Sequence, residues 1–319
     1  MKNRYVTFIL CLCALIAIVP QYACTGNSGQ KEAGETKKGK VAVIISTLNN
    51  PWFVILGETG VKRCQELGYE ATVFDSQKDV AKEVENFDNV IAAGYNAIIC
   101  DVVDADGSVV NVRNAINAGI PVFLTDREIN AHNLATSTVI ADNYAGCVEV
   151  GKALIEIMGK EGKYAEILGE VGDNNTWTRS GGFHRVIDRY KGWKMVAQQS
   201  AEFDRTKSMD VLASMLQAHP DIQAVFCGND VMALGAWQAV VSSGKQGKVK
   251  VFGFDGEAGV VKSISEGKIS ATAMQSPAQM ATIAAEFADK YMKGERDFPH
   301  KIPIAVEAIT AKNAEKYLK

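Results

Sequence analysis

From Lys40 onward, short apolar runs alternate with longer segments whose apolar positions recur at helical spacing. Residues 41–46 form a continuous apolar run, the mark of a strand covered on both faces. Pro51 stands where a helix can begin, and Phe53, Leu56, Gly60, Val61 and Cys64 continue at helical spacing as far as Gly68. The pattern then predicts strands at 69–74, 97–100 and 120–124, with helices at 80–93 and 107–118, the second stopped by Gly119. Repeated strand–helix–strand units predict a parallel, doubly wound sheet.

The rhythm then starts again. An extended stretch at 139–141 leads into a helix at 144–158, followed by strand 164–168, helix 179–190 and strand 194–199. Helix 207–218, strand 224–227, helix 231–242, strand 248–252, helix 259–266, strand 269–274 and a long helix at 278–292 follow. Residues 302–309 look extended, as a further linker or an edge strand. Two successive halves of one α/β architecture predict two doubly wound parallel-sheet lobes. Ligands bind beyond the carboxyl ends of strands in such sheets, so facing strand ends define a cleft.

The first forty residues break this pattern. Lys2 and Arg4 precede an uncharged apolar run at 8–19, too short to span a bilayer and fitting the centre of a signal peptide, placed at 1–23. Residues 24–39 are polar and rich in Gly, Lys, Glu and Ser, as in a flexible tether. Cys24 has two readings. Lipid attachment would anchor the mature protein to a membrane surface, consistent with Ala23 before it, although Gln21 stands where an aliphatic residue is usual. Ordinary cleavage nearby would instead leave a free protein.

Composition narrows the classes. Hydrophobic residues at 47% and charged residues at 22% suit a globular protein with large cores, and a net charge of −3 offers nothing to nucleic acid. Cys11 and Cys13 fall in the signal segment. Cys64, Cys100, Cys147 and Cys227 sit in apolar patterns and read as buried thiols, a bridge being the alternative. Without a CxxC pair or His/Cys ligand spacing, no metal site is expected.

The strand ends carry the chemistry. They bear Asn50, Trp52 and Phe53; Asp126 and Arg127; the loop 169–179, ending at Arg179; Phe203; Asn229 and Asp230; Asp255; and Gln275. A sugar presents hydroxyls at its rim and C–H groups on its faces. Planar Asp, Asn, Gln and Arg groups match pairs of adjacent hydroxyls, and flat rings cover the faces. Trp52, Phe53 and Phe203 would cover the ring, while Asn50, Asp126, Arg127, Arg179, Asn229, Asp255 and Gln275 would hold the rim. Local readings compete: Asp230 as a helix cap, Asn50 as cap or ligand group, Trp52 and Phe53 as helix core, and Asp126–Arg127 as a surface ion pair.

The chain resembles the ribose-binding protein group of bacterial sugar-binding proteins from Lys40 to near its end. The stretches that carry this are Ser46–Pro51, Phe74–Gln77, Asp126-Arg127, Phe203–Arg205, Ala218–Phe226, Asn229-Asp230 with Met232–Ala236, and Gly253–Gly256. The resemblance implies a type I periplasmic binding fold with a three-segment hinge near Asp142, Ser276 and Pro303. One lobe would comprise 40–141 plus 276–303 and the other 142–275 plus 304–319. It implies that Asn50, Phe53, Asp126, Arg127, Arg179, Phe203, Asn229, Asp255 and Gln275 contact the sugar, with Trp52 standing where ribose binders tend to have Phe. The loop Gly172-Asp-Asn-Asn-Thr-Trp177 is bulkier than the ribose pattern, which makes Asp173 and Trp177 further candidates. The expected function is an exported, periplasmic or cell-surface solute-binding protein of an ABC sugar importer, binding a ribose-like monosaccharide. A sugar alcohol or another pentose or hexose is the alternative. The expected partners are the sugar and the importer permease, the chain being a monomer that needs no cofactor.

Other classes fit less well. Gly-x-Ser-x-Gly, His-Glu-x-x-His and Gly-x-Gly-x-x-Gly are absent from the sequence. Gly34 and Gly39-Lys40 have phosphate-loop spacing, but Val41 stands where Ser or Thr should hold magnesium, and the segment precedes the first strand. Asp126 and Asp255 as an acid/base pair would need a separation that sequence cannot supply. A sugar-responsive repressor would carry a helix-turn-helix where the signal segment and tether stand. A sensor handing its closed form to a membrane receptor would differ only in its partner. Replacing Arg179 by Ala is expected to remove sugar binding and leave the fold intact.

Overall fold

The computed structural model describes residues 38–318. The signal segment, Cys24 and nearly all of the tether lie outside the described residues.

Five consecutive residues of the first strand, Val41 to Ile45, have no exposed surface, so β1 (Lys40–Ile45) occupies the middle of a sheet. It pairs with β2 (Glu70–Asp75) on one side and β3 (Ala97–Cys100) on the other. With β4 (Val122–Thr125), β5 (Ser137–Ala141) and β11 (Lys301–Ile304), the order is β11-β5-β4-β3-β1-β2, parallel throughout. Helices α1 (Pro51–Glu66) and α9 (Pro277–Met292) pack together over one face, on Val41, Val43 and Ile45. Helices α2 (Val80–Ala92) and α3 (Val109–Asn117) bury Phe87, Val90 and Val112 against the other, on Ala42 and Ile44.

The second sheet repeats the plan with β6 (Glu161–Leu168), β7 (Gly192–Ser200), β8 (Ala224–Cys227), β9 (Lys250–Phe252), β10 (Ala271–Met274) and β12 (Glu307–Thr310). Its order is β12-β10-β9-β8-β6-β7, matching the first sheet position for position. Helices α4 (Asn143–Met158) and α5 (Asn174–Ile187) cover one face, and α6 (Arg205–Ala218), α7 (Asp230–Ser242) and α8 (Ala258–Ser265) the other.

Three details differ from the sequence reading. The second sheet is not wholly parallel, because β12 runs antiparallel to β10. The extended tail divides into two strands in different sheets, and the chain passes from β11 to β12 with no crossover helix, so β12 returns along β10. Helix α5 starts at Asn174, ahead of the expected 179, because the Asp173 side chain accepts from Asn175 N and caps it. The weak helix formers Asn174, Asn175 and Thr176 conceal that start. Cys64, Cys100, Cys147 and Cys227 are free and buried.

Capping also builds the cleft. Asn50, Asp173, Asp204, Asn229 and Ser276 each accept a backbone N–H at a helix start. The turn from strand to helix is thereby pinned where the strand's carboxyl end faces the other sheet.

Candidate functional site

Between the facing strand ends lies a cavity of about 880 Å³. Its lining takes Asn50, Trp52, Phe53, Asp126 and Arg127 from the side of the first sheet. Asp173, Arg179, Phe203, Asn229, Asp255 and Gln275 come from the side of the second. Of the described candidates only Trp177 is elsewhere. It is 51% exposed, and its indole N–H donates to Val171 O at 3.0 Å, so it lies on the outer surface of the first turn of α5.

Arg179 sits in the second turn of α5 and is buried. Its Nε donates to Asn143 Oδ1 at 2.7 Å and its Nη1 to Gly228 O at 2.9 Å, while Nη1 stands 3.6 Å from Asp255 Oδ1. The guanidinium also lies 4.0 Å above the Phe254 ring. Asn143 donates in turn to Asn175 Oδ1, and Asn175 donates to Asp126 O at 3.0 Å. One chain of amides therefore links Arg179 to the opposite loop. Asn143 and Asn175 were missed from sequence. Asn143 follows the expected hinge residue Asp142, and Asn175 lies in the loop already marked as unusual.

Arg127 corrects the surface-pair reading of Asp126–Arg127. It is 3% exposed and its charge partners lie elsewhere. Nε is 2.9 Å from Asp173 Oδ2, a charge contact too bent for a hydrogen bond, and 3.7 Å from Asp101 Oδ1. Nη1 donates to Val102 O and Val103 O. Burial works against its charge, yet the carboxylates of Asp173, Asp101 and Glu170 hold it protonated beyond the ordinary arginine range. Asp101 itself is fully buried and accepts from the Ser46 hydroxyl.

Asn50 and Asn229 resolve the competition between cap and ligand group in the same manner. Each uses Oδ1 to accept a helix N–H, from Trp52 and Met232 at 2.9 Å, which leaves the amide N–H₂ as the cavity-side donor. Asp230 is a buried structural group, bonded to Thr272 Oγ1 and Glu257 N. Trp52 and Phe53 belong to both readings, since they pack in the core beneath α1 and line the cavity, edge to face at 5.1 Å.

Three of the site residues expected from sequence have positive φ, namely Asp126 at 62°, Phe203 at 52° and Asp255 at 131°. Such backbone is costly for side-chain-bearing residues and persists where surrounding bonds fix it. Burial pushes both Asp126 and Asp255 up to about 7, against the pull of Arg179. Gln275 Nε2 donates to Asp255 Oδ1 at 2.8 Å. Trp52 Nε1, Asp126 Oδ1 and Gln275 Oε1 have no hydrogen-bond partner. Among the described residues, no group of His, Cys, Asp or Glu is arranged to hold a metal ion.

A periplasmic binding protein domain matches residues 41–296. The chain belongs to the periplasmic binding protein family. This periplasmic binding protein is 41% identical over 277 residues to the D-apiose import binding protein of Paraburkholderia graminis, covering 86% of the chain and 88% of that relative. It is 37% identical to the ribose import binding protein of Bacillus subtilis over 289 residues, 91% of each. An ABC transporter solute binding protein from Bacillus halodurans, solved with bound myo-inositol, superposes with a TM-score of 0.84 at 26% identity, covering 89% of this chain and 99% of that one. The resemblance to ribose-binding proteins drawn from the sequence holds, as does the expectation of a two-lobed α/β fold.

Proposed function

We propose that this periplasmic binding protein captures a neutral monosaccharide or polyol between its lobes and presents it to the permease of an ABC importer. One observation carries the reading: a single cavity draws planar hydrogen-bonding groups and aromatic rings from the strand ends of two separate sheets. The two buried arginines of the cavity wall face carboxylates, Arg127 with Asp173 and Arg179 with Asp255, which suits an uncharged guest. Unpartnered Trp52 Nε1, Asp126 Oδ1 and Gln275 Oε1 include a donor and two acceptors, the complement of hydroxyls.

Lobe 40–141 plus 276–303 would rotate against lobe 142–275 plus 304–319 about the three chain crossings. A sugar favours closure only through the contacts that closure adds, and the permease would read both lobes of the closed form. Asn50, Trp52, Phe53, Asp126 and Arg127 would bind from one lobe, with Asp173, Arg179, Phe203, Asn229, Asp255 and Gln275 from the other. The chain binds its guest without breaking a bond. Export to the periplasm accompanies this role, with the chain acting as a monomer held at the membrane by lipid on Cys24. Cys24→Ala should move it from the membrane to the soluble fraction.

The relatives direct the choice of ligands to D-apiose and D-ribose, followed by other pentoses, hexoses and inositols. A thermal-shift screen over this set tests the reading, because a ligand that binds only the folded state raises Tm by mass action. A rise with at least one sugar or polyol is expected. A flat response across the set would overturn it.

A further inference from the structure

The loops at the outer edges of the two sheets are built alike. After β2, Gln77 and Lys78 are consecutive left-handed residues at φ 56° and 58°, and Asp79 then caps α2. After β7, Glu202 and Phe203 repeat this at 55° and 52°, and Asp204 caps α6. Phe203, in the second left-handed position, lines the cavity, and so does its counterpart Lys78. Two adjacent non-glycine residues in this conformation are costly, and local bonds hold them. Lys78 N donates to Ser46 O at 2.7 Å, and Gln77 N to Asp75 Oδ1 at 2.9 Å.

The strained loop carries Lys78 across the cleft. Its Nζ lies 2.8 Å from Glu170 Oε1 and donates to Glu202 O at 3.2 Å. Glu170 stands on the loop between β6 and α5, where its Oε2 also meets Arg127 Nη2 at 3.7 Å. This loop and the start of α5 make two further bonds to the first lobe, Ala105 N to Gly172 O and Asn174 Nδ2 to Asn130 Oδ1. Glu170 does not line the cavity. The segment 170–178, which lines the cavity through Asp173 and Asn175, therefore also engages the opposite lobe through residues outside the cavity.

We propose that Glu170 is a positioning residue for sugar retention, a clasp that grips Lys78 and Arg127 across the closed cleft and slows opening without touching the ligand. This rests on the sugar-binding reading above. Sheets that rotate apart must break the Lys78–Glu170 contact, whereas the encounter of sugar with the open form does not involve it. The clasp acts on dissociation, and because both side chains are partly exposed, salt weakens it.

The test compares the full chain with Glu170→Gln, Lys78→Met and the double variant, using D-apiose and D-ribose as probes. Stopped-flow rates are combined with electron–electron distances between spin labels on Asp88→Cys and Asp210→Cys, exposed positions of α2 and α6. Glu170→Gln should speed dissociation about fivefold, leave association and the apiose-to-ribose preference unchanged, and broaden the interlobe distance toward longer values. The double variant should be no faster than the worse single variant. High salt should speed dissociation from the wild type and have little effect on Glu170→Gln. Unchanged dissociation and distances, or an altered preference between the sugars, would overturn the clasp. Should the wild type bind neither sugar nor any other in the screen, the sugar-binding reading falls. The clasp is then decided by the unliganded distances, which Glu170→Gln must lengthen.

Discussion

Arg179 approaches Asp255 to 3.6 Å with the same Nη1 that donates to Gly228 O, while its Nε is committed to Asn143. A single guanidinium thus positions a carboxylate at the cavity wall and holds two elements behind it. The expectation that its loss would spare the fold needs revising. Arg179→Ala should abolish tight sugar binding and also lower stability by about 1–3 kcal/mol, because Asn143 Oδ1 and Gly228 O lose a buried donor. Calorimetry and urea unfolding would check the two effects. Lys in its place cannot supply both donors in one plane, so Arg179→Lys should not restore affinity.

The pH dependence follows from Asp126 and Asp255, both pushed up to about 7 by burial. A carboxyl group whose folded-state value is raised binds protons more tightly when folded. The unliganded protein should therefore gain stability as pH falls from about 7 toward the ordinary aspartate range near 3.8. Sugar hydroxyls donate to the ionised form, so binding should release protons and tighten as pH rises through about 7. Heats of binding measured in buffers of different ionisation enthalpy would reveal the released protons. Tightening as pH falls would mean that a protonated carboxyl donates to the sugar.

Trp52 lines the cavity with its indole N–H unpartnered, whereas Trp193 is buried away from it and donates to Gly159 O. Saturating sugar should change the intrinsic fluorescence, and Trp52→Phe should remove most of that change while keeping measurable binding. An unaltered signal change in the variant would assign it to another tryptophan.

Away from the cleft, His184 lies between Glu166 at 3.1 Å and Asp188 at 3.0 Å, and Glu166 is fully buried. The hydrogen bond that His184 donates to the Glu166 carboxylate raises the imidazole from 6.5 to about 9. The imidazolium's stabilising contribution should be complete below about pH 6.5 and lost as pH rises through about 9. Thermal melts of the wild type and His184→Gln across that window should converge at its alkaline end.

Much of this was legible in the chain. Strands such as 41–46 and 97–100 read clearly because burial on both faces demands unbroken apolar runs. The residues that line the cavity read nearly as well, because the strand ends of the two sheets face one another there, and polar planar groups recur at each of them. Long-range pairing left no such trace. Arg127 with Asp173, Arg179 with Asn143 and Lys78 with Glu170 each join residues far apart in the chain, and no local pattern records them. The exposure of Trp177 was hidden for a related reason. An aromatic beside polar residues reads the same whether the helix turns it toward the cavity or away.

Hydrogen–deuterium exchange of the free and sugar-saturated protein tests the central claim most directly, since it reports on both sides of the cleft together. With the sugar that gives the largest thermal shift, protection should appear jointly around Asn50–Phe53 and Asp126-Arg127 in one lobe and around Asn229–Met232 and Asp255–Gln275 in the other. Protection confined to one lobe, or centred away from these segments, would contradict a guest enclosed by two sheets.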